Sequence, residues 1–378
     1  MTTTMNVGII GAGNISAAYL KLLPLFAGVR LAAIADIDPD RAAQRATEAG
    51  IDATSPQEMA ARNDIGLVIN LTIPQVHYEV TRSFIDAGKH VYSEKPFVLT
   101  LEEGLALKQA AADRGVLVGS APDTFLGGSH QQLRAIVDSG SIGRVMSGTV
   151  HFMNRGMEAW HPNPDFFFRA GGGPILDMGP YYVSNLVNLL GPVEEISAFG
   201  NRAWDRRTFG AGPRKGEDFP VELQTTIHGL LRFRSGAVVS LAMSWDVPAH
   251  RHGLIELYGT TGSFYAPDPN YFGGDILLSE GGQAEAVAAW SHPFGVPNWT
   301  RPNGEIVANY RGAGVADLIA AAREGRPARC SLDFALHVVE VLTSLTRAAD
   351  GAGPQRMITT CARPTALDPA AAAALLAQ

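Results

Sequence analysis

The chain has 378 residues, 46% apolar and 18% charged, enough for two domains and a substantial core. Its 30 Lys and Arg against 37 Asp and Glu give a net charge of −7 with no basic run, so nucleic acid is not an expected partner. No apolar stretch reaches membrane-span length, no cationic leader precedes the first strand, and the only cysteines are Cys330 and Cys361; these features predict a cytoplasmic protein without a disulfide frame, membrane contact or metal centre.

Met5–Ile10 reads as a strand that runs into Gly11-Ala12-Gly13-Asn14-Ile15-Ser16 and then into a helix. A second apolar strand, Val29–Ala35, stops at Asp36. This order is what a βαβ dinucleotide cradle needs. Gly11 permits the tight turn, Gly13 lets backbone approach a pyrophosphate, and the helix start offers its amides to phosphate. Asp36, 25 residues after Gly11, can accept hydrogen bonds from ribose hydroxyls and would repel a 2′-phosphate. NAD is therefore expected over NADP, although Arg41 keeps NADP open.

Further strands are predicted at Leu67–Ile73, His90–Lys95 and Val116–Ala121, separated by helices at Val76–Ala87 and Leu101–Arg114 with glycine caps at Gly88 and Gly115. After Pro122 the pattern alternates. Leu231 and Phe233 oppose Arg232 and Arg234, and Val239, Leu241, Met243 and Trp245 alternate with Ser240, Ala242 and Ser244, which reads as an antiparallel hairpin. More strands are expected near Val145–Met153, Ile196–Gly200 and Gly253–Phe264, and helices near Tyr310–Glu324, Leu332–Ala349 and Ala370–Leu376. The expected fold is α/β: a Rossmann doubly wound parallel sheet over residues 1–122, then an α+β domain over 123–378 with a large, mostly antiparallel open sheet. Such a sheet face often pairs with its own copy, so a homodimer or homotetramer is expected.

Three segments carry chemistry. Lys95, in Glu94-Lys95-Pro96, ends a strand where open parallel sheets bind ligands. It can hold a carbinol oxygen or, with its pKa lowered by desolvation, take a proton. Gly171–Gly191 is a glycine-led helix with Asp177, Tyr181 and Ser184 on one face. Trp160–Pro174 is a Pro-rich loop in which Trp160 could stack on a sugar while His161, Asn163 and Arg169 bind hydroxyls. His151 and Arg155 precede that loop as further substrate candidates.

Together "GAGNIS", "TIPQVHYEV" (72–80), "GKHVYSEKP" (88–96) and the glycine-led "LDMG" helix resemble the glucose-fructose oxidoreductase / inositol dehydrogenase / rhizopine-catabolism (Gfo/Idh/MocA) family. The resemblance implies reversible hydride transfer between NAD(P) and a secondary hydroxyl of a sugar, sugar derivative or cyclitol. It implies a cofactor site of Gly11, Gly13, Asn14, Ile15, Asp36, Thr72, Pro74, His77, Glu94 and Lys95, catalytic Lys95, Asp177 and Tyr181, and a Pro96 that is often cis. Most relatives carry a histidine where this chain has Tyr181, and an acid where it has Ser184. Tyrosine can serve if the Lys95 ammonium steadies its phenolate, with His161 the reserve acid/base. Two alternatives stay open at this level. One is a redox-neutral, NAD-retaining glycosidase or epimerase-like enzyme; the other is a non-catalytic dinucleotide sensor.

Overall fold

Strands that are apolar on both faces must be covered on both, and the first third of the chain does this with a parallel sheet between helices. The computed structural model describes residues 4–377; residues 1–3 and 378, the ends of the two expected spans, lie outside the described residues. In chain order come β1 (Met5–Ile10), α1 (Ser16–Leu22), β2 (Val29–Ala35), α2 (Pro39–Ala49), β3 (Asp52–Thr54), α3 (Pro56–Ala61), β4 (Ile65–Asn70), α4 (His77–Asp86), β5 (His90–Ser93), α5 (Leu101–Arg114) and β6 (Val118–Ser120). All six strands are parallel, in the order β3-β2-β1-β4-β5-β6. The order reverses between β1 and β4, and a cleft at their carboxyl ends follows from that reversal. Edge strand β3 escapes the sequence reading because Asp52-Ala53-Thr54 has no apolar run. β4 ends at Asn70 rather than Ile73, because the Asn70 side-chain oxygen accepts from the Thr72 amide at 3.2 Å and hydroxyl at 2.6 Å and turns the chain.

The remainder follows as α6 (Gly128–Ser139), β7 (Val145–Met153), α7 (Gly173–Leu190), β8 (Val193–Asn201), β9 (Arg206–Thr208), β10 (Asp218–Pro220), β11 (Thr226–Phe233) and β12 (Val238–Ser244). Then come β13 (Ile255–Gly259), β14 (Ser263–Ala266), β15 (Leu277–Ser279), β16 (Glu285–Ala286), β17 (Trp299–Thr300), β18 (Ile306–Val307), α8 (Ala313–Glu324), α9 (Leu332–Arg347), β19 (Gln355–Arg356) and α10 (Pro369–Ala374). Nine of these strands form one sheet, β16-β15-β14-β13-β7-β12-β11-β8-β19, antiparallel except between β7 and β12. The expected β11–β12 hairpin is present, with Leu231, Phe233, Val239 and Leu241 buried beneath it.

Helices α7 and α9 pack together on one face of that sheet, and α8 and α9 also reach β6 of the parallel sheet. One apolar core therefore runs from Val7, Ile9 and Tyr92 through Tyr182 and Leu186 to Leu241 and Leu257. α7 is buried nearly all round, more than the apolar stripe in its sequence suggests. α8 starts at Ala313, not Tyr310, because Gly312 sits in the left-handed region at φ 105° and breaks the helical path.

His337 of α9 shows how neutral this core must stay. Its ring is fully buried, Nε2 accepts from the Val193 amide at 2.9 Å, and Nδ1 meets the Thr359 hydroxyl at 3.0 Å. Burial lowers its pKa to about 4 from 6.5, the nearby Glu340 carboxylate offsetting this only in part. A depressed histidine gives stability that is complete above the unfolded value and is lost as pH falls from about 6.5 through about 4. In urea unfolding across that window, His337→Gln should lose stability less steeply than wild type, by up to ~1.4 kcal/mol per pH unit. Equal slopes would remove His337 as the titrating group.

Candidate active site

The cradle for a dinucleotide forms where β1 turns into α1. Gly11 has φ 103°, and a Cβ there would lie 2.7 Å from the Leu71 carbonyl group, so only glycine fits the turn. A Cβ on Gly13 would meet nothing within 4 Å, which leaves open space over the backbone for phosphate. Asp36 ends β2 with one oxygen 2.6 Å from the Ala12 amide and the other 2.9 Å from the Asp38 amide, which fixes its carboxylate at the cleft edge. Asn14 lines a hollow of about 290 Å³ with Gly13, Arg41 and Arg45; Asp36 and the 95%-exposed Ile37 border another of about 610 Å³. An exposed Ile beside a strand-end acid suits one face of an adenine ring. Arg41 is paired with Asp38 at 3.0 Å on the surface. These residues fit NAD.

At the β5 end, Lys95 and Asp177 meet although 82 residues separate them. Lys95 Nζ donates to the Asp177 carboxylate at 2.9 Å and to its backbone carbonyl at 2.7 Å, and lies 5.3 Å from the centre of the Tyr181 ring. Pro180, inside α7, has no N–H to give the turn below it, and the adjacent Asp177 carbonyl is the one that accepts from Lys95. Burial works against the Lys95 ammonium, but Asp177 with Tyr181 and Glu94 outweighs it, and its pKa is raised. The expectation that desolvation could make Lys95 a base is therefore corrected: it is a fixed cation. Ser184 shares its face of α7 and lines a void of about 10 Å³ with Lys95 and Pro180.

Two expected cofactor contacts sit deeper than the sequence suggested. Glu94 is buried, with one oxygen 3.0 Å from the Tyr19 hydroxyl and the other 2.8 Å from the Lys95 amide. His77 is fully buried between the carbonyls of Pro96 at 2.7 Å and Thr72 at 2.9 Å. Both side chains join the loops after β4 and β5 through these contacts. Ile15 caps α1, and Thr72 and Pro74 line the loop that His77 ties down. The Lys95–Pro96 peptide is cis, as the resemblance implied.

The loop before α7 holds Trp160, 68% exposed, and His161, whose ring packs edge-on against Phe167 at 5.3 Å and accepts from the Asn163 amide at 3.1 Å. Arg169 pairs with Asp165 at 3.4 Å. A Cβ on Gly171 would come 3.2 Å from Leu99 and 3.8 Å from Gln75, so the loop ends against the segments that follow β4 and β5. Arg155 is exposed where the loop begins. His151 does not join this group. Its strand neighbour Phe152 packs on Tyr182 of α7, so His151 points from the opposite sheet face, where it stacks on His252 at 4.0 Å.

Sequence reasoning missed three polar residues. Arg207 is buried, donates to the Arg155 carbonyl at 2.9 Å and the Trp245 carbonyl at 2.8 Å, and pairs with Glu158 and with Asp246 at 2.5 Å. Asp123, just after β6, accepts from the Gly312 amide at 2.9 Å and the Gly314 amide at 3.0 Å; burial pushes its carboxyl up to about 6. Arg311, in the loop before α8, is gripped by the side chains of Asn270 at 2.6 Å and Asn309 at 3.0 Å. Burial opposes its charge, and the oxygens of Tyr181, Glu94 and Asp123 hold it protonated. Only Asp123, a strand-end acid, left a sequence signal.

This fold and cleft define a Rossmann-type oxidoreductase. Residues 5–121 match the oxidoreductase family's NAD-binding Rossmann fold and residues 130–265 match the GFO/IDH/MocA C-terminal domain; the chain belongs to the Gfo/Idh/MocA family of NAD(P)-dependent oxidoreductases. It is 28% identical to 1,5-anhydro-D-fructose reductase of Ensifer adhaerens over 68% of this chain and 74% of that one. It is 24% identical to levoglucosan dehydrogenase of Pseudarthrobacter phenanthrenivorans, over 79% and 84% of the two chains. A levoglucosan dehydrogenase in complex with NADH and L-sorbose superposes with a TM-score of 0.78 at 20% identity, over 94% of this chain and all (100%) of the other.

Arg207 binds the start of the loop to the sheet, so Arg207→Met should strand Glu158 and Asp246 and cost about 3–5 kcal/mol in urea unfolding. Limited proteolysis within residues 154–172 should then quicken at a denaturant level where the rest of the chain survives. Unchanged cleavage would mean the loop is held otherwise.

Proposed function

We propose that the chain is an NAD-dependent dehydrogenase, or reductase in reverse, for a secondary hydroxyl of a sugar, anhydro sugar or cyclitol. One observation carries this reading: a Lys95 ammonium, paired with Asp177 and facing Tyr181, stands at the carboxyl end of the parallel sheet beside the dinucleotide cradle. Gly11, Gly13, Asn14, Ile15, Asp36, Thr72 and Pro74 would hold NAD, which would supply the hydride acceptor. Lys95 donates hydrogen bonds to the carbinol oxygen and stabilises the charge that grows there. Tyr181 takes the hydroxyl proton, Asp177 fixes Lys95, and His161 is the reserve for the proton. Trp160 stacks on the ring, with Arg155, His161, Asn163 and Arg169 for its hydroxyls. Relatives that reduce anhydrofructose, oxidise levoglucosan or oxidise myo-inositol support this substrate class.

On this reading residues 1–122 are the cofactor unit and 123–378 the substrate unit. A homo-oligomer, dimer or tetramer, is part of the proposal. The nine-stranded sheet turns Phe199 (84% exposed) and Leu230 (53% exposed) outward, a face suited to a second copy. No described helix is long and apolar enough to cross a membrane, and both cysteines are free and buried, which suits a reducing cytoplasm.

The test is the absorbance of reduced nicotinamide when the protein and NAD meet a panel of sugars, anhydro sugars and inositols. Signal with one structural subset is expected; silence throughout, with NAD already bound in the purified protein, would sink the dehydrogenase. With an active substrate, Lys95→Met should lower kcat by about 10²–10⁴-fold at nearly unchanged NAD affinity. Asp36→Ala should weaken NAD about 10- to 100-fold and NADP less. Equal losses for the two dinucleotides would undo the ribose assignment.

A further inference from the structure

Tyr19 of α1 has no part in the proposed mechanism, yet it is one contact away from Lys95. Its ring is fully buried, and its hydroxyl donates to one Glu94 carboxylate oxygen at 3.0 Å. The other Glu94 oxygen accepts from the Lys95 amide at 2.8 Å. Glu94 is itself only 8% exposed, so its carboxylate bridges α1 and the end of β5 with little help from water. α1 is in turn fixed to the turn before it, because the buried Ser16 hydroxyl donates to the Gly13 carbonyl at 2.6 Å. A phenylalanine would fill the same apolar space without a hydroxyl to desolvate. The hydroxyl, and its grip on Glu94, is what separates Tyr19 from an apolar filler.

Lys95 is a long, flexible side chain held at both ends. Its ammonium has three hydrogens. Two are taken by the Asp177 carboxylate at 2.9 Å and carbonyl at 2.7 Å, which leaves one for a substrate oxygen. Where that third hydrogen points depends on where the methylene stem starts, and it starts from the main chain that Glu94 grips. We infer that Tyr19 is a positioning residue for Lys95: by anchoring Glu94 to α1 it fixes the Lys95 main chain, and with it the direction of the free ammonium hydrogen. That role rests on the reading of Lys95 as the group that meets the carbinol oxygen. Tyr19 acts through Glu94 rather than on a reacting atom. The same contact ties the Gly11–Gly13 turn to the root of Lys95, so the cradle and the ammonium keep one spacing.

The first test needs no substrate. Only the neutral form of a lysine amine is acylated, and pairing with Asp177 keeps Lys95 charged, so labelling with acetic anhydride, read by mass spectrometry, reports how firmly Lys95 is held. In Tyr19→Phe the labelling rate of Lys95 should rise about 3- to 10-fold, the scale of one lost hydrogen bond. Lys89 is the control. Its ammonium donates to the Arg62 carbonyl at 2.7 Å and the Ile65 carbonyl at 3.0 Å, at the amino ends of β4 and β5, and should label as in wild type. Unchanged Lys95 labelling overturns the inference. A rise in both lysines together also overturns it, since Tyr19 would then be a general support of the fold. Glu94→Leu, which removes both contacts, should raise Lys95 labelling at least as much, and it serves if Tyr19→Phe does not fold; no rise in it counts against the assignment. Added to Glu94→Leu, Tyr19→Phe should change little further, whereas additive effects would mean that Tyr19 acts by another route. With an active sugar from the panel, Tyr19→Phe should lower kcat about tenfold, with KM for the sugar and the dissociation constant of NADH, read by fluorescence, nearly unchanged. Weaker NADH binding at unchanged kcat would make Tyr19 a support of the cofactor turn alone and overturn the inference. If Lys95→Met keeps full activity, the role of Lys95 fails, whereas the labelling still reports whether Tyr19 holds it.

Discussion

The site depends on one ion pair. Lys95 sits where β5 ends, Asp177 on the first turns of α7, and their side chains are 17% and 23% exposed. Two charges withdrawn this far from water are tolerable only together, because removal of either leaves the other with an uncompensated desolvation cost. The pair is therefore also a register mark. It sets α7 at one height against the parallel sheet and brings Tyr181, one turn further along, over the same ammonium. The second donor–acceptor contact, from Lys95 to the Asp177 carbonyl, uses backbone beside the helix-interior Pro180.

Behind the pair, irregular backbone at the carboxyl edge of the sheet has to be satisfied without water. Side chains do this between loops rather than within them. Glu94 holds the Lys95 amide and the α1 hydroxyl of Tyr19. Asn70 turns the chain after β4 and reaches Thr81 of α4 at 3.1 Å. His77 lies between two carbonyls, which favour a charged ring, while burial disfavours it more strongly and its pKa is lowered. A neutral ring then donates to one of the two. Asp123 does for β6 and α8 what Glu94 does for β5 and α1. The loops that must stay aligned for chemistry are thus cross-tied by buried acids and a histidine.

What the sequence could tell depended on whether a role is written in backbone or in side-chain partnership. Gly11, Gly13 and Asp36 were legible because a tight turn, open phosphate space and a strand-end acid each demand a residue type at a fixed spacing. Helices such as Leu101–Arg114 and strands such as Val145–Met153 matched for the same reason, through periodicity. The convergence of Lys95, Asp177 and Tyr181 needed the family resemblance, since no local pattern relates residues 82 apart. Arg207 and Arg311 were invisible: each lies in a segment with no repeating pattern, and each owes its role to partners scattered over the fold. For Glu94 and His77 the sequence showed the residues but not their partners, because strand-end polarity does not reveal the hydrogen bonds that tie them between loops.

On the proposed reading, chemistry and recognition rest on separate parts of the fold. Lys95, Asp177 and Tyr181 are rooted in partly or wholly buried elements, with Glu94 holding the Lys95 amide. The loop from Asn154 to Gly172 exposes Trp160 and hangs instead on Arg207, whose partners are Glu158, Asp246 and the carbonyls of Arg155 and Trp245. The two sets share no member among these contacts. Changes in groups without shared partners tend to add rather than couple. A change of loop side chains can therefore alter which ring is held while the proton and hydride geometry stays as it is. On the proposed reading, this division lets the loop set which ring is held without moving the Lys95–Asp177 pair.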